Sequence, residues 1–190
     1  MSFLGEPPDT SARRQMYDED LADEGYVMNL TRVWAHDPAA HEAFWAAVTQ
    51  VSSSLTVRER AVLVTATAAT LGDSYCALAW GSRLAGTATP EQAASVLGGA
   101  DEGLSSAERA LARWARAVTS DPSGTTAAQV DELRDAGYTD GQIFAITGYV
   151  AMRIAFSTIN GALGAHPDPA LAASAPEAVR TTVTWGRPAG

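Results

Sequence analysis

One cysteine stands in the 190 residues of this chain, Cys76, in the stretch Gly72-Asp73-Ser74-Tyr75-Cys76-Ala77-Leu78-Ala79-Trp80. A thiolate is a nucleophile and a reversible redox centre, so this stretch is where chemistry would start. Gly72 has the form of a helix end, and Asp73 of the cap of the next helix. Cys76 then falls at the third helical position, with Trp80 one turn further on, so Asp73, Cys76 and Trp80 share a face. The dipole at a helix N-terminus favours thiolate. A carboxylate at Asp73 opposes it, because two anions repel. No His, Lys or Arg lies within a turn of Cys76. The local sequence therefore supplies no strong thiolate activator, and a small buried hydrophobe is an equally natural reading of the residue.

Other residues that could serve Cys76 are few. Arg153 is the only charge in the apolar run Ile143–Leu163. A buried guanidinium needs a partner, so Arg153 either pairs with a carboxylate such as Asp73, lines a pocket, or forms a structural salt bridge at a subunit interface. Of the three histidines, His36 is the best placed to act as an acid-base group beside a pocket. His41 and His166 read as exposed. Tyr75 could line the site or donate from its hydroxyl. One cysteine and three scattered histidines make no metal spacing, so we expect no metal and no other cofactor.

Composition narrows the partners. Thirteen basic against 22 acidic residues gives a net charge of −9. That argues against nucleic acid and against an anionic membrane surface, both of which need basic clusters. The first residues, Met1 to Asp9, lack the basic and apolar regions of a signal peptide. We read no membrane span. The expected location is the cytoplasm.

The elements that must position these side chains are helices. Five places fit the capping box: Thr56 with Glu59, Thr89 with Gln92, Ser105 with Glu108, Thr126 with Gln129, and Thr139 with Gln142. Glu59, Glu108 and Asp140 are explained as first-turn acids and receive no catalytic role. Residues 61–71 and 143–163 are apolar nearly all round and read as buried on every side or set in a subunit interface. Strand alternation bounded by turns is absent. We divide the chain into an arm (1–12), an all-α domain (13–175) and a tail (176–190).

The order of these features resembles a known family. Leu55-Thr-x-Arg-Glu-Arg-Ala-Val62, then Gly72-x-x-Tyr-Cys76, then Leu104-Ser-x-x-Glu-Arg-Ala-Leu111 are similar to the carboxymuconolactone decarboxylase and alkyl hydroperoxidase D (AhpD) superfamily. Leu133-Arg-x-Ala-Gly-Tyr-Thr-Asp-x-x-Ile143 and Asn160-x-x-Leu-Gly164 resemble its peroxidase-related branch. The resemblance spans about residues 15–170. It implies an AhpD-like helical domain with a two-fold pseudo-repeat of helical hairpins, assembled as a homo-oligomer (dimer, trimer or hexamer). The family's peroxidases use a Glu, a Cys-x-x-Cys pair and a His. Placed on this chain, the second cysteine is Cys76, the first is Asp73, the His is Trp80, and the Glu falls on Ala61. Only a one-cysteine cycle is left, with Asp73 as proton acceptor, a hydroperoxide or an acidic ring compound as substrate, and an external thiol as reductant. The alternatives are a pseudoenzyme or small-molecule-binding protein on the same fold, and carboxymuconolactone-type decarboxylase or lactone chemistry.

Overall fold

The structure is a computed structural model, and it describes residues 2–190. Its elements are α1 (Ser11–Asp23), α2 (Asn29–Trp34), α3 (Pro38–Ser52), α4 (Val57–Leu71), α5 (Ser74–Thr87), α6 (Pro90–Gly98), α7 (Ser106–Ser120), α8 (Ala127–Asp135), α9 (Asp140–Ala162), α10 (Pro169–Ser174) and α11 (Glu177–Thr182). A short 3₁₀ turn, Pro122–Gly124, precedes α8, and no strand occurs among the described residues.

Local chemistry sets most helix starts. The capping boxes at Thr56, Ser105, Thr126 and Thr139 close in both directions. Thr89 caps α6, but the Gln92 side chain turns away and donates to the Gly103 carbonyl at 2.8 Å. Gly72 ends α4 in the left-handed conformation that glycine adopts without strain.

Helix α4 forms the centre. Every residue from Ala61 to Ala68 is buried, and the helix packs on α5, α6, α7 and α9. Val62, Leu63 and Val64 have no appreciable exposure, and burying a side chain of that size stabilises by about 1.5–3 kcal/mol. Its alanines let neighbouring helices approach closely. The starts of α4 and α7 are joined by an Arg58–Glu108 ion pair. Tyr138, just before α9, donates to Glu59 Oε1 at 2.7 Å. Trp114 on α7 donates to Thr147 Oγ1 on α9 at 3.0 Å.

One expectation needs correcting. Helix α9 is not buried on every side: Ile143, Ile146, Tyr149, Val150, Arg153 and Phe156 face inward, while Phe144 is 76% exposed and Ala151, Ala155 and Ile159 also face out. It is long and apolar enough to cross a membrane. Here it packs on α3, α4 and α7 with Arg153 turned inward. The segment after residue 175, expected as a tail, packs against the domain. Helix α11 packs on α6 and α5, and Val179 is fully buried. Trp185 packs against the core, and Ser74 at the start of α5 donates to the Arg187 carbonyl at 2.7 Å. Gly186 passes so close to Gly72 and Ser74 that a Cβ there would lie 2.6 Å from the Gly72 carbonyl oxygen.

Candidate active site

Asp73 caps α5 through Oδ1, which accepts the Cys76 backbone N–H at 3.1 Å. This fixes the start of the helix and, with it, the direction of the thiol. Cys76 is 3% exposed. Arg153, two-thirds of the way along α9 and 2% exposed, donates from Nη2 to the Cys76 sulfur at 3.3 Å.

No carboxylate of the described residues lies within ion-pairing distance of Arg153. Its Nε is buried without an acceptor. The guanidinium is instead enclosed by aromatic rings, with centroids at 4.8 Å for Phe156, 5.3 Å for Trp80 and 5.8 Å for Trp45. Each such contact contributes roughly 0.5–2 kcal/mol. An unpaired buried charge costs several kcal/mol, so the rings offset that cost only in part.

Burial pushes the Cys76 thiol up to about 12, and the Asp73 carboxylate adds to the rise. Arg153 and Ser157 act in the opposite direction. The thiol is therefore protonated at neutral pH. Asp73 Oδ2 is buried without a hydrogen-bond partner, leaving one carboxylate oxygen uncommitted beside that thiol.

A cavity of about 300 Å³ opens onto Cys76, Trp80, Tyr75 and Arg153. Trp45 from α3, Phe156 from α9 and Leu171 from α10 complete its apolar wall. Tyr26, Met28 and Glu24 supply one rim, and Arg83 the other. A larger cavity, about 440 Å³, lies on the far side of the α5 N-terminus and does not include the cysteine. It is lined by Asp73, Ser74, Ser157, Asn160 and Arg187, among others. We take the smaller cavity as the site because it reaches the sulfur and the unpaired cation.

The residues expected from sequence are thus divided. Cys76, Trp80, Tyr75 and Arg153 come together around one space. Asp73 touches Cys76 but faces the other cavity. His36 must be corrected: it sits exposed at the end of α2, where its Nε2 meets the Gly5 carbonyl at 3.1 Å, and it takes no part in the cavity wall. The Tyr75 ring lines the cavity, but its hydroxyl already donates to the buried Asp168 carboxylate and is not spare. Burial and the adjacent Asp168 push that phenol far above its ordinary value. Asp168 also accepts the Asn29 N–H at 3.1 Å, so this group holds α2, α5 and the start of α10 together.

Four neighbours of the sulfur escaped sequence reading. Phe156 and Ser157 follow Arg153 at helical spacing, which would have placed them on its face. Trp45 and Tyr26 carry no such local signal. His41 is not exposed as expected. It is half-buried against Trp34, and its Nε2 accepts from Trp45 Nε1 at 2.8 Å. Burial lowers its pKa.

The architecture around this thiol is that of the AhpD-like proteins, an all-α fold that this chain shares. No family model and no curated protein matches the sequence. Among solved structures, the chain is similar to a peroxidase-related protein with an alkylhydroperoxidase AhpD core from Ralstonia eutropha JMP134, at 25% identity and TM-score 0.79, over 90% of this chain and 94% of that one. A peroxidase-related protein from Silicibacter sp. TM1040 aligns at 18% identity and TM-score 0.79, covering 88% and 92%. The debrominase Bmp8 aligns at 17% identity and TM-score 0.71, covering 95% and 97%. A cysteine-to-alanine variant of that debrominase was solved in complex with 2,3,4-tribromopyrrole.

Proposed function

We propose that this protein is a single-thiol oxidoreductase of the AhpD-like kind, with Cys76 as the reacting group and a small molecule as substrate. The observation that carries the reading is the Cys76 sulfur, which lies 3.3 Å from the Arg153 guanidinium on the wall of a cavity. A cation there stabilises the thiolate formed as the reaction proceeds. With a hydroperoxide, sulfur attacks the distal oxygen and the O–O bond breaks. Asp73 takes the thiol proton and water protonates the departing alkoxide, giving a sulfenic acid and an alcohol. An external thiol then condenses with the sulfenic acid and releases water. A second external thiol exchanges with that mixed disulfide and restores Cys76. No intrachain disulfide enters the cycle, because the chain has no second cysteine.

A second reading has its own support. A thiol held near 12 is a weak nucleophile, which favours a binding protein that keeps the fold without the cycle. The debrominase shows that this fold also accommodates a halogenated pyrrole, so the substrate need not be a peroxide. One experiment separates the readings: treat the protein and Cys76→Ser with hydrogen peroxide or cumene hydroperoxide, add a dimedone-type probe, and follow peroxide loss with several thiols. Labelling and turnover that vanish in the variant support the oxidoreductase. An unlabelled cysteine with no peroxide loss leaves the binding reading.

We further propose that the chain self-associates through the outward face of α9, where Phe144 and Ile159 are exposed among alanines.

A further inference from the structure

We propose that the Cys76 cavity is a receptor for a flat aromatic monoanion, an arene or heteroarene carboxylate, with Arg153 as its counter-ion. This inference shares the site assigned above but does not depend on thiol chemistry. Its first support is charge. The protein is strongly acidic, with a net charge of −9, yet two arginines without ion-pair partners converge on one cavity. Arg153 is buried, and its Nε lacks an acceptor. Arg83, at the rim, has no ion pair either.

The carboxylates around them are accounted for. Glu24 stands exposed at the opposite rim. Asp168 is engaged by Tyr75 and Asn29 behind the wall, and Asp73 faces the neighbouring cavity. Inside the cavity the positive charge has no internal answer.

The second support is the shape and lining. Trp80 lies between the two guanidiniums, 4.7 Å from Arg83 and 5.3 Å from Arg153. Three aromatic rings pack around the Arg153 guanidinium, Nη2 meets the Cys76 sulfur, and the Nε at its edge has no acceptor. That edge matches the two oxygens of a carboxylate. The remaining wall is carbon: Trp45, Phe156, Leu30, Leu171, Met28 and the Tyr75 ring. A volume of about 300 Å³ is at the low end of ligand pockets and suits one or two fused rings. A phosphate ester would need more donors than this wall presents.

The test is isothermal titration calorimetry with benzoate and indole-3-carboxylate against benzamide and indole-3-carboxamide. We expect each acid to bind at least tenfold more tightly than its amide. Arg153→Met should abolish that preference and leave amide affinity within about threefold. Arg83→Gln should weaken the acids severalfold. The acid-to-amide comparison on the unaltered protein stands even if Arg153→Met does not fold. Equal binding of acids and amides, or no binding of either at millimolar concentration, overturns the proposal. An acid preference in a protein inert to peroxide and the sulfenate probe would sink the thiol reading and leave this one. Sulfenate labelling without an acid preference would do the reverse.

Discussion

Asp73→Asn should make Cys76 more reactive. Asparagine keeps the side-chain oxygen that accepts the Cys76 N–H at 3.1 Å, and it caps helices about as well as aspartate. What changes is the charge. The Asp73 carboxylate is the second largest cause, after burial, of the raised thiol pKa. A charge at that range moves a pKa by about 1–3. Removing it raises the thiolate fraction at neutral pH by roughly 10- to 1000-fold. Nucleophilicity falls together with basicity, by about half as much on a logarithmic scale. The net gain in alkylation rate is then roughly 3- to 30-fold. Iodoacetamide labelling followed by intact-mass spectrometry measures it directly, because the chain holds one cysteine. Both proteins should show rates rising with pH, with the variant offset upward and thermal stability nearly unchanged. An equal or slower rate in Asp73→Asn would refute the claim that this carboxylate suppresses the thiolate.

Three further outcomes follow from other parts of the molecule. His41 is held neutral by burial, so its contribution to stability is complete above its ordinary pKa and is lost as pH falls below about 6.5. Urea unfolding followed through tryptophan fluorescence should therefore lose less stability on acidification in His41→Phe, and identical pH profiles would count against it. Val179→Ala, deep under α11, should cost about 1–3 kcal/mol in the same assay, whereas a change under about 0.5 kcal/mol would mean that α11 is dispensable. Phe144→Ser should shift the assembled protein toward monomer in size-exclusion chromatography with light scattering, and an unaltered chain that is already monomeric removes the α9 face as an interface.

Sequence reading succeeded where the interaction is local. A threonine and the acid or amide three residues on are enough to start a helix, so the boundaries of α4, α7, α8 and α9 were visible as letters. The cap at Asp73 was visible in the same way. By contrast, α11 starts after Pro176 with no side-chain cap and exists because Val179 finds a slot between α5 and α6. Arg153 was rightly flagged as needing a partner, but the partner proved to be a sulfur and three rings rather than a carboxylate. Trp45 reaches the site only because α3 folds back on α9. Tyr75 and Asp168, 93 residues apart, meet through tertiary packing alone. The sequence points to a pocket for His36 and to the surface for His41, but the cluster of Trp34, Phe44 and Trp45 half-buries His41 while His36 stays exposed.

The single inward charge of α9 also settles a question that its other residues leave open. Ala, Gly, Val, Ile and Phe recur around much of this helix, so several rotations about its own axis would bury comparable apolar surface. A slip of one residue turns an α-helix by about 100°. Such a turn would carry Arg153 away from Trp80, Phe156 and the Cys76 sulfur, and either strand its charge among aliphatic side chains or lift it into solvent. The guanidinium therefore acts as a rotational key. Together with the hydrogen bonds from Trp114 to Thr147 and from Trp34 to Asn160, it gives the 23-residue rod one correct azimuth.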